Sequence, residues 1–393
     1  MDLRSNSQNQ KHYFEKKMLV TAKEDNRDQI IFLSDVHFGA RGDSMDVLQN
    51  MKDYFYNFFI PFVKAQIERK NHPIIVIAGD YFDNRTHIDI NVMNVAKDVM
   101  DSISSLCPVY MVIGNHDIYK KSDTDVTSLR LFADMSDVTI VYDMAELIIK
   151  DNVRILLTSW IGDMKKENQI IAENKDKYNL LVFHTELSGM TYDNGRSIIN
   201  GLNIDIVDDG KIVSGHIHKR QESKKGIYLG SPYHIRKDAM GNRKGIYTFS
   251  IEDGKLVKNF TENTYSPEYV IRRFSDIGRN VDDWKDLVRN NYVHIIFTTE
   301  ELNVINISKF MKELRSYEPR NIEIIEERPN VNINDSSVSV NEDGEIVDLS
   351  VDPDASLVEI FETKLKAFKL KKTEMKKINK LNEEYLKRAV EES

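Results

Sequence analysis

Short runs of apolar residues recur along the chain, and amphipathic or polar stretches separate them. Six of the runs are rich in β-branched residues and apolar at consecutive positions, which is typical of strands buried on both faces of a layered α/β domain. They occupy residues 30–33, 74–78, 109–113, 155–158, 180–183 and 211–214. Two helices are predicted at residues 45–67 and 90–106, and Pro61 is expected to kink or end the first.

The pattern changes along the chain and predicts five segments. After about residue 265, a strand near 294–298, a helix near 305–314 and a strand near 322–325 predict a small second α/β domain. Between residues 320 and 359 there are 11 acidic residues against 2 basic ones, which is typical of a solvated linker. The predicted segments are a polar extension at 1–29, a main domain at 30–265, the small domain at 266–328, the linker at 329–354 and a helical segment at 355–393.

Composition and charge narrow the class of protein. The 393 residues include 41% hydrophobic and 30% charged residues, as in an ordinary globular protein of two or three domains. The formal charge of −9 argues against a surface coated with basic residues. The single cysteine, Cys107, predicts a reducing compartment. Because the longest apolar runs are too short to span a bilayer and the N-terminus lacks the apolar core of a signal peptide, a cytoplasmic protein with no membrane contact is expected.

Five polar clusters stand at the carboxyl ends of predicted strands. They are Ser34-Asp35-Val36-His37, Gly79-Asp80-Tyr81-Phe82-Asp83, Gly114-Asn115-His116-Asp117, His184 and Ser214-Gly215-His216-Ile217-His218. Taken singly, each has an ordinary explanation as a turn or a hydrogen-bonded core histidine. In an extended chain, Asp35 and His37 would project to the same side and could share a metal ion. Open α/β sheets place their sites at this edge, so the five clusters together predict one site.

The ordered motifs D-V-H, G-D-Y-F-D, G-N-H-D, a lone histidine and G-H-I-H resemble those of the calcineurin-like metallophosphoesterases, over about residues 30–250. The order of segments is closest to the SbcD-type recombination nucleases, and most similar to the nuclease subunit type that T4-like phages encode. The resemblance implies a layered α/β sheet with flanking helices, a small α/β capping domain and C-terminal helices that hold an SMC-like ABC ATPase.

The resemblance also implies a role for each motif residue. One ion would be held by Asp35, His37, Asp80 and His218. The other would be held by Asp80, Asn115, His184 and His216, so that Asp80 bridges the two. His116 would act on the substrate as an acid or transition-state stabiliser without binding metal. Asp83 departs from the pattern, since some family members have histidine there. The implied cofactor is two Mn²⁺ ions, with Mg²⁺ as the alternative; such a pair hydrolyses phosphodiesters through an activated water.

Two further surfaces are predicted in the main domain. Residues 215–245 contain 8 lysines and arginines against 2 acids, and the candidate DNA contacts are Lys219, Arg220, Arg236, Lys237, Arg243 and Lys244. An ordinary solvated surface explains any one of these equally well. The helix at 45–67 carries Tyr54, Phe55, Tyr56, Phe58, Phe59 and Phe62, which predicts a homodimer built partly from it. The alternative is a helix buried on several sides by its own domain.

The helical segment at 355–393 carries apolar residues spaced three and four apart. The candidate partner-binding residues are Leu357, Ile360, Phe361, Leu365, Phe368, Met375, Ile378 and Leu381. Between residues 362 and 388 there are 10 basic residues against 4 acids, so the partner surface is expected to be acidic, as on a coiled coil near an ATPase head. DNA, or docking back onto the small domain, are the alternatives.

Together these features predict a manganese-dependent DNA nuclease, acting as both exonuclease and endonuclease, that works with the ATPase in DNA end processing, recombination and repair. Two alternatives stay open. One is a phosphoesterase of nucleotides or phosphoproteins with the same fold, and the other is a non-catalytic scaffold. The filled set of ligand positions disfavours the scaffold, and the extra domain and tail disfavour a small substrate.

Overall fold

The computed structural model describes residues 20–120, 123–237 and 240–327, together with two short strands at 338–340 and 346–348. The chain divides into two compact units, Met1–Ile325 and Glu326–Ser393. The part of the second unit that is described is an antiparallel ribbon, Val338–Val340 against Ile346–Asp348. Within the described ranges, no helix has the length and apolar character needed to cross a bilayer.

Two β-sheets form the body of the first unit. The first contains β2 (Gln29–Leu33), β3 (Pro73–Ala78), β4 (Val109–Val112), β7 (Val138–Val141), β14 (Gly245–Glu252) and β15 (Lys255–Glu262). Its order is β15-β14-β2-β3-β4-β7, and β2, β3, β4 and β7 are parallel. The second contains β1 (Val20–Glu24), β8 (Met144–Ile149), β9 (Val153–Thr158), β10 (Leu180–His184), β11 (Ile212–Gly215), β12 (Gln221–Glu222) and β13 (Gly226–Tyr228), in the order β1-β8-β9-β10-β11-β13-β12.

Helices cover the outer faces of the sheets. The longer ones are α1 (Met45–Tyr54), α2 (Ile60–Glu68), α3 (Ile90–Ser104), α4 (Met164–Asn174) and α5 (Ile307–Arg315). Shorter helical turns lie at Ala40–Asp43, Ser128–Phe132, Lys150–Asn152, Ile204–Ile206, Phe274–Ile277, Val281–Trp284, Lys285–Val288 and Thr299–Val304. A hairpin of β5 (Ile118–Lys120) and β6 (Asp123–Thr127) follows the G-N-H-D motif.

Side chains that point alternately to the two faces of each strand build the layers of the fold. In β2, Ile30 and Phe32 lie in the core between the two sheets, whereas Ile31 and Leu33 pack under the helices on the other face. This follows from the period of two in a strand. The first sheet therefore has a hydrophobic core on each of its two faces, which explains why its central strands are apolar at every position. The predicted layered α/β fold is confirmed, and all six predicted strands are present.

The polar extension predicted at 1–29 is wrong in its C-terminal part. Residues Val20–Glu24 form β1, which pairs in parallel with β8 at the edge of the second sheet. Thr21 and Lys23 are exposed, so the run Val20-Thr21-Ala22-Lys23-Glu24 carries too weak an apolar signal to be predicted as a strand.

The helix predicted at 45–67 neither ends nor breaks at Pro61. A π-helical segment, Phe55–Phe59, joins α1 to α2, and the Ile60 N–H donates to the Phe55 carbonyl five residues earlier. The wider π turn precedes Pro61, which has no N–H to donate, so the helix passes the proline without a break.

Residues 269–327 form a third, smaller sheet with its own core. Its strands are β16 (Tyr269–Arg273), β17 (Tyr292–Thr298) and β18 (Asn321–Glu327), in that order. Trp284 and Phe310 lie in its core. The predicted strands and helix of the small domain are present here, whereas the boundary at residue 266 stays a prediction. Apart from the ribbon, the linker at 329–354 lies outside the described residues, and so does the helical segment at 355–393.

Candidate metal centre

The structure gathers the five predicted clusters at one edge of the two sheets. Clusters from the first sheet follow β2, β3 and β4, which are neighbours, and those from the second follow β10 and β11. Three groups of side chains have ligand atoms within 4.8 Å of one another: Asp35, His37 and His218; Asp80, His184 and His216; and His37, Asp83 and His116.

One group converges on the amide oxygen of Asn115. This oxygen lies 3.1 Å from His184 Nε2 and 2.8 Å from His216 Nδ1. His184 Nε2 is also 3.2 Å from Asp80 Oδ2. The other nitrogen of His184, Nδ1, donates to the Ala78 carbonyl at 2.8 Å, which leaves Nε2 as the free nitrogen of the neutral ring.

The other group contains Asp35, His37 and His218. The Nε2 atoms of His37 and His218 face each other at 3.0 Å. Asp35 Oδ1 accepts from the His216 N–H at 3.0 Å, while Asp35 Oδ2 is buried without a hydrogen-bond partner among the described residues. Burial raises the pKa of Asp35. An ionised carboxylate oxygen in this position calls for a cation.

Asp80 lies between the two groups. Its Oδ2 is 3.2 Å from His184 Nε2 and 3.7 Å from His37 Nε2, and its Oδ1 accepts from the His116 N–H at 2.8 Å. One carboxylate therefore contacts a histidine of each group, which is the arrangement that a bridging ligand requires.

The charges of this centre also favour a bound cation. Burial disfavours the charged form of His184, but the charges of Asp80 and Asp35 and the hydrogen bonds to Asp80 and Ala78 together raise the pKa of His184 to about 9. Burial likewise opposes ionisation of Asp80, but His184 and then His37 hold its pKa well below the ordinary value. Lone pairs of carboxylate, amide and imidazole converge here, and divalent metals accept this donor set. The residues present therefore fit the metal ions that the motifs imply.

The backbone at the centre is not extended, so the geometric reason given for pairing Asp35 with His37 is wrong. Asp35 (φ 50°), His37 (φ 53°), Asp80 (φ 53°) and His216 (φ 83°) all have left-handed backbone conformations. Each such residue is strained by about 1–3 kcal/mol, and the surrounding hydrogen bonds must offset that strain. The side chains converge because the loops curl back, not because strand geometry places positions i and i+2 on one side.

Two motif glycines are required by close packing. A Cβ at Gly114 would lie 2.2 Å from Asp80 Oδ1, and a Cβ at Gly215 would lie 2.1 Å from Ser34 Oγ. Neither atom can move away without displacing a loop of the centre. Glycine thus allows the loops to approach each other closely enough to share ligands.

Sequence reasoning missed the role of Asp117, which is 1% exposed. Its Oδ2 accepts from the N–H groups of Asp80 and Gly114, both at 2.9 Å. Its Oδ1 accepts from those of Tyr81 and Phe82, at 3.0 and 3.1 Å. One carboxylate thereby ties the G-D-Y-F-D loop to the G-N-H-D loop. The signal in the sequence was the acid that follows His116.

The second missed feature is the wall beside His216. The Trp160 ring lies 5.1 Å from the His216 ring between centroids, and Glu186 Oε1 lies 3.8 Å from His216 Nε2. Trp160 follows β9 at the same edge of the sheet as the other clusters, which is the signal that could have identified it.

His116 belongs to the third group, beside His37 and Asp83, and a hydrogen bond fixes its ring. Its Nδ1 lies 2.6 Å from the Asp83 carbonyl oxygen. A carbonyl can only accept, so Nδ1 carries the proton and Nε2 is the nitrogen able to exchange a proton with a substrate. Burial lowers the pKa of His116.

The six candidate DNA contacts differ in their surroundings. Lys244 is 3% exposed and donates to the His218 carbonyl at 2.5 Å and to Ser231 Oγ at 3.0 Å. Lys244 therefore stabilises the G-H-I-H loop, and its role as a DNA contact stays a prediction. Three others form ion pairs: Arg220 with Glu222, Lys237 with Glu323 and Arg243 with Glu262.

The two remaining candidates are Lys219 and Arg236. Arg236 is exposed, and its charge interacts with both Asp83 and His218. Of these two, Arg236 is the one whose charge acts on residues of the centre. The candidate partner-binding residues of the tail lie outside the described residues.

The chain is similar to several known proteins. Residues 29–220 match the family profile described as calcineurin-like phosphoesterase. The chain is 27% identical over 293 residues to Exonuclease subunit 1 of Enterobacteria phage T4, which covers 73% of this chain and 80% of that protein. It is 23% identical over 218 residues to the protein named as phosphoesterase 078R of Invertebrate iridescent virus 3, over 53% of this chain and 58% of that protein. Among solved structures, calcineurin-like phosphoesterase YfkN from Bacillus subtilis aligns at 14% identity and a TM-score of 0.32, over 60% of this chain and 90% of its own.

Proposed function

Residues 29–220 belong to a calcineurin-like phosphoesterase domain, and from this premise we propose that the protein is a manganese-dependent DNA nuclease. Members of this family bind divalent metals and hydrolyse phosphoesters. The observation that carries the proposal is the position of Asp80, whose Oδ2 contacts a histidine of each ligand group, at 3.2 and 3.7 Å.

In this proposal Asp35, His37, Asp80 and His218 hold one ion, and Asp80, Asn115, His184 and His216 hold the other. Two bound ions would activate a water and neutralise the charge that develops on a phosphodiester. His116 contributes the proton chemistry that the ions do not. Its Nδ1 is fixed on the Asp83 carbonyl at 2.6 Å, so Nε2 is the atom that would meet the phosphate or the leaving oxygen.

DNA is favoured over a small substrate by the similarity to an exonuclease subunit, which extends over 73% of this chain and so beyond the phosphoesterase domain. Arg236 gives independent support, because its guanidinium is exposed and interacts electrostatically with Asp83 and His218, so it could bind a backbone phosphate. A phosphoesterase of nucleotides or phosphoproteins is the second candidate, favoured by the similarity to a viral phosphoesterase.

The same proposal includes partners. The relative from phage T4 is named as a subunit, which supports a complex with another chain, and we assign that role to an SMC-like ATPase bound by residues 355–393. A homodimer through the helix predicted at 45–67 also belongs to the proposal. Half of the aromatic residues on which it rested, Tyr54, Phe55 and Phe59, are core residues. The exposed Tyr56 and the half-buried Phe58 and Phe62 are left for a second copy. A cytoplasmic site of action, in DNA recombination and repair, completes the proposal.

The proposal is tested with three substrates: linear duplex DNA, single-stranded DNA and bis-p-nitrophenyl phosphate. Each is incubated with Mn²⁺, Mg²⁺ or a chelator. We expect cleavage of both DNA substrates with Mn²⁺, less with Mg²⁺ and none with chelator. Hydrolysis of the chromogenic ester without cleavage of either DNA would favour the small-substrate phosphoesterase instead.

A further inference from the structure

Asp83 contacts two histidines of the centre with two different chemical groups. Its side-chain Oδ1 lies 3.0 Å from His37 Nδ1, and its backbone carbonyl oxygen lies 2.6 Å from His116 Nδ1. The rings of His37 and His116 meet edge to face, with 4.9 Å between their centroids. A single residue thus touches a proposed metal ligand and the proposed catalytic imidazole.

The carboxylate contact decides which nitrogen of His37 can bind a metal. The His37 side chain is fully buried, and that of Asp83 is 21% exposed. The His37 Nδ1 and Asp83 Oδ1 atoms face each other at 3.0 Å without ideal hydrogen-bond geometry, and neither has a hydrogen-bond partner among the described residues. A carboxylate accepts only, so the proton of neutral His37 belongs on Nδ1. The free lone pair then belongs to Nε2, which faces Asp80 Oδ2 and His218 Nε2.

The backbone carbonyl of Asp83 likewise fixes the proton of His116 on Nδ1, and this contact does not involve the Asp83 side chain. Because the backbone oxygen is present whatever residue stands at 83, a substitution there leaves this acceptor in place. The Asp83 carboxylate therefore orients His37, and the Asp83 backbone carbonyl orients His116.

We propose that the Asp83 side chain is a positioning residue for the metal ligand His37, and that it has no direct part in the chemistry of His116. The inference rests on the proposed function, because it takes His37 as a ligand. It also gives a role to the residue at which this chain departs from the family motif. Loss of a carboxylate that orients a ligating histidine typically weakens metal binding by about 10–100-fold.

The test is calorimetric titration of the metal-free protein with Mn²⁺ alone, followed by turnover of bis-p-nitrophenyl phosphate over a range of Mn²⁺ concentrations. For Asp83→Ala we expect binding at one site to weaken by about 10–100-fold. At saturating Mn²⁺, we expect kcat to return to within about threefold of the wild-type value, because the acceptor of His116 is unchanged. Asp83→Asn keeps an oxygen acceptor and should recover most of the affinity.

Asp28→Ala is the matched control, since Asp28 Oδ2 faces His72 Nδ1 at 3.6 Å outside the centre. It should leave both readouts unchanged. Circular dichroism verifies that each variant is folded, and Asp83→Leu, which is close to aspartate in size and has no acceptor, carries the test if Asp83→Ala is not folded.

Three results would overturn the inference. Unchanged Mn²⁺ affinity in Asp83→Ala would show that the carboxylate does not orient a ligand. Loss of kcat that saturating Mn²⁺ does not restore would assign the side chain to His116. Disappearance of a whole binding site would make Asp83 itself a ligand. Because the titration uses no nucleic acid, it remains informative if DNA proves not to be the substrate.

Discussion

At the residue scale, the position of the centre depends on a carboxylate that binds neither metal nor substrate. Asp117 accepts from four backbone N–H groups, in the loops that carry Asp80 and His116. These N–H groups are buried, so each would remain unsatisfied without this acceptor. The carboxylate also helps to hold Asp80 in its left-handed conformation, since it binds the Asp80 N–H directly.

Asp117→Asn is therefore expected to destabilise the protein and to reduce activity together. An asparagine side chain presents N–H donors where two backbone donors need an acceptor, so at least one buried N–H loses its partner. We expect a loss of about 1–3 kcal/mol in the free energy of unfolding, measured by urea denaturation. Asp134→Asn, at an exposed aspartate, is the control. Wild-type stability and turnover in Asp117→Asn would contradict this role.

Residue identity at the centre could be predicted, whereas residue contacts could not. Asp35, His37 and Asp80 follow strands in a recognisable order, and the structure brings them together. Their left-handed backbone conformations carry no local signal, because non-glycine residues adopt them only where tertiary contacts enforce them. The contacts of Asp83 and Asp117 depend on two loops meeting across the sheet, which no single stretch of sequence specifies.

At the element scale, burial explains in part which strands were predictable, although β14 and β8 are mostly buried and were missed. The central strands β2, β3 and β4 are apolar throughout because both faces are covered, and they were predicted. Strand β15 lies at the edge of its sheet, alternates with charged residues and was missed. The π segment before Pro61 was also missed. An internal proline predicts a break in a helix, and no simple sequence pattern predicts the wider π turn that accommodates it.

The helical segment at 355–393 is the element assigned to the ATPase partner, on its sequence pattern. Deleting it should leave manganese-dependent cleavage of single-stranded DNA intact, because the ligand groups lie entirely within residues 35–218. It should abolish co-purification with the ATPase subunit and the stimulation of duplex digestion by ATP. Unchanged affinity of the truncated protein for that subunit would show that the tail is not the binding element.

At the scale of the whole molecule, the proposed action on DNA requires a chain of net charge −9 to attract a polyanion. Of the six candidate basic residues, Lys244 is buried, and Arg220, Lys237 and Arg243 pair with glutamates. Attraction is therefore expected to be local, from bound metal ions and Arg236, and not from a broad basic surface. Charge counting along the sequence could not separate paired cations from available ones.

The central claim is that two ions share Asp80 while His116 binds neither. It is tested most directly by counting Mn²⁺ ions bound to the wild type, Asp80→Ala and His116→Ala by calorimetric titration, with DNA cleavage measured on the same samples. We predict two ions in the wild type. His116→Ala should keep both at near wild-type affinity, with cleavage reduced by about 10²–10⁴-fold, whereas Asp80→Ala should lose affinity at both sites and show no cleavage. Two tightly bound ions and normal cleavage in Asp80→Ala, or a missing ion in His116→Ala, would contradict the account.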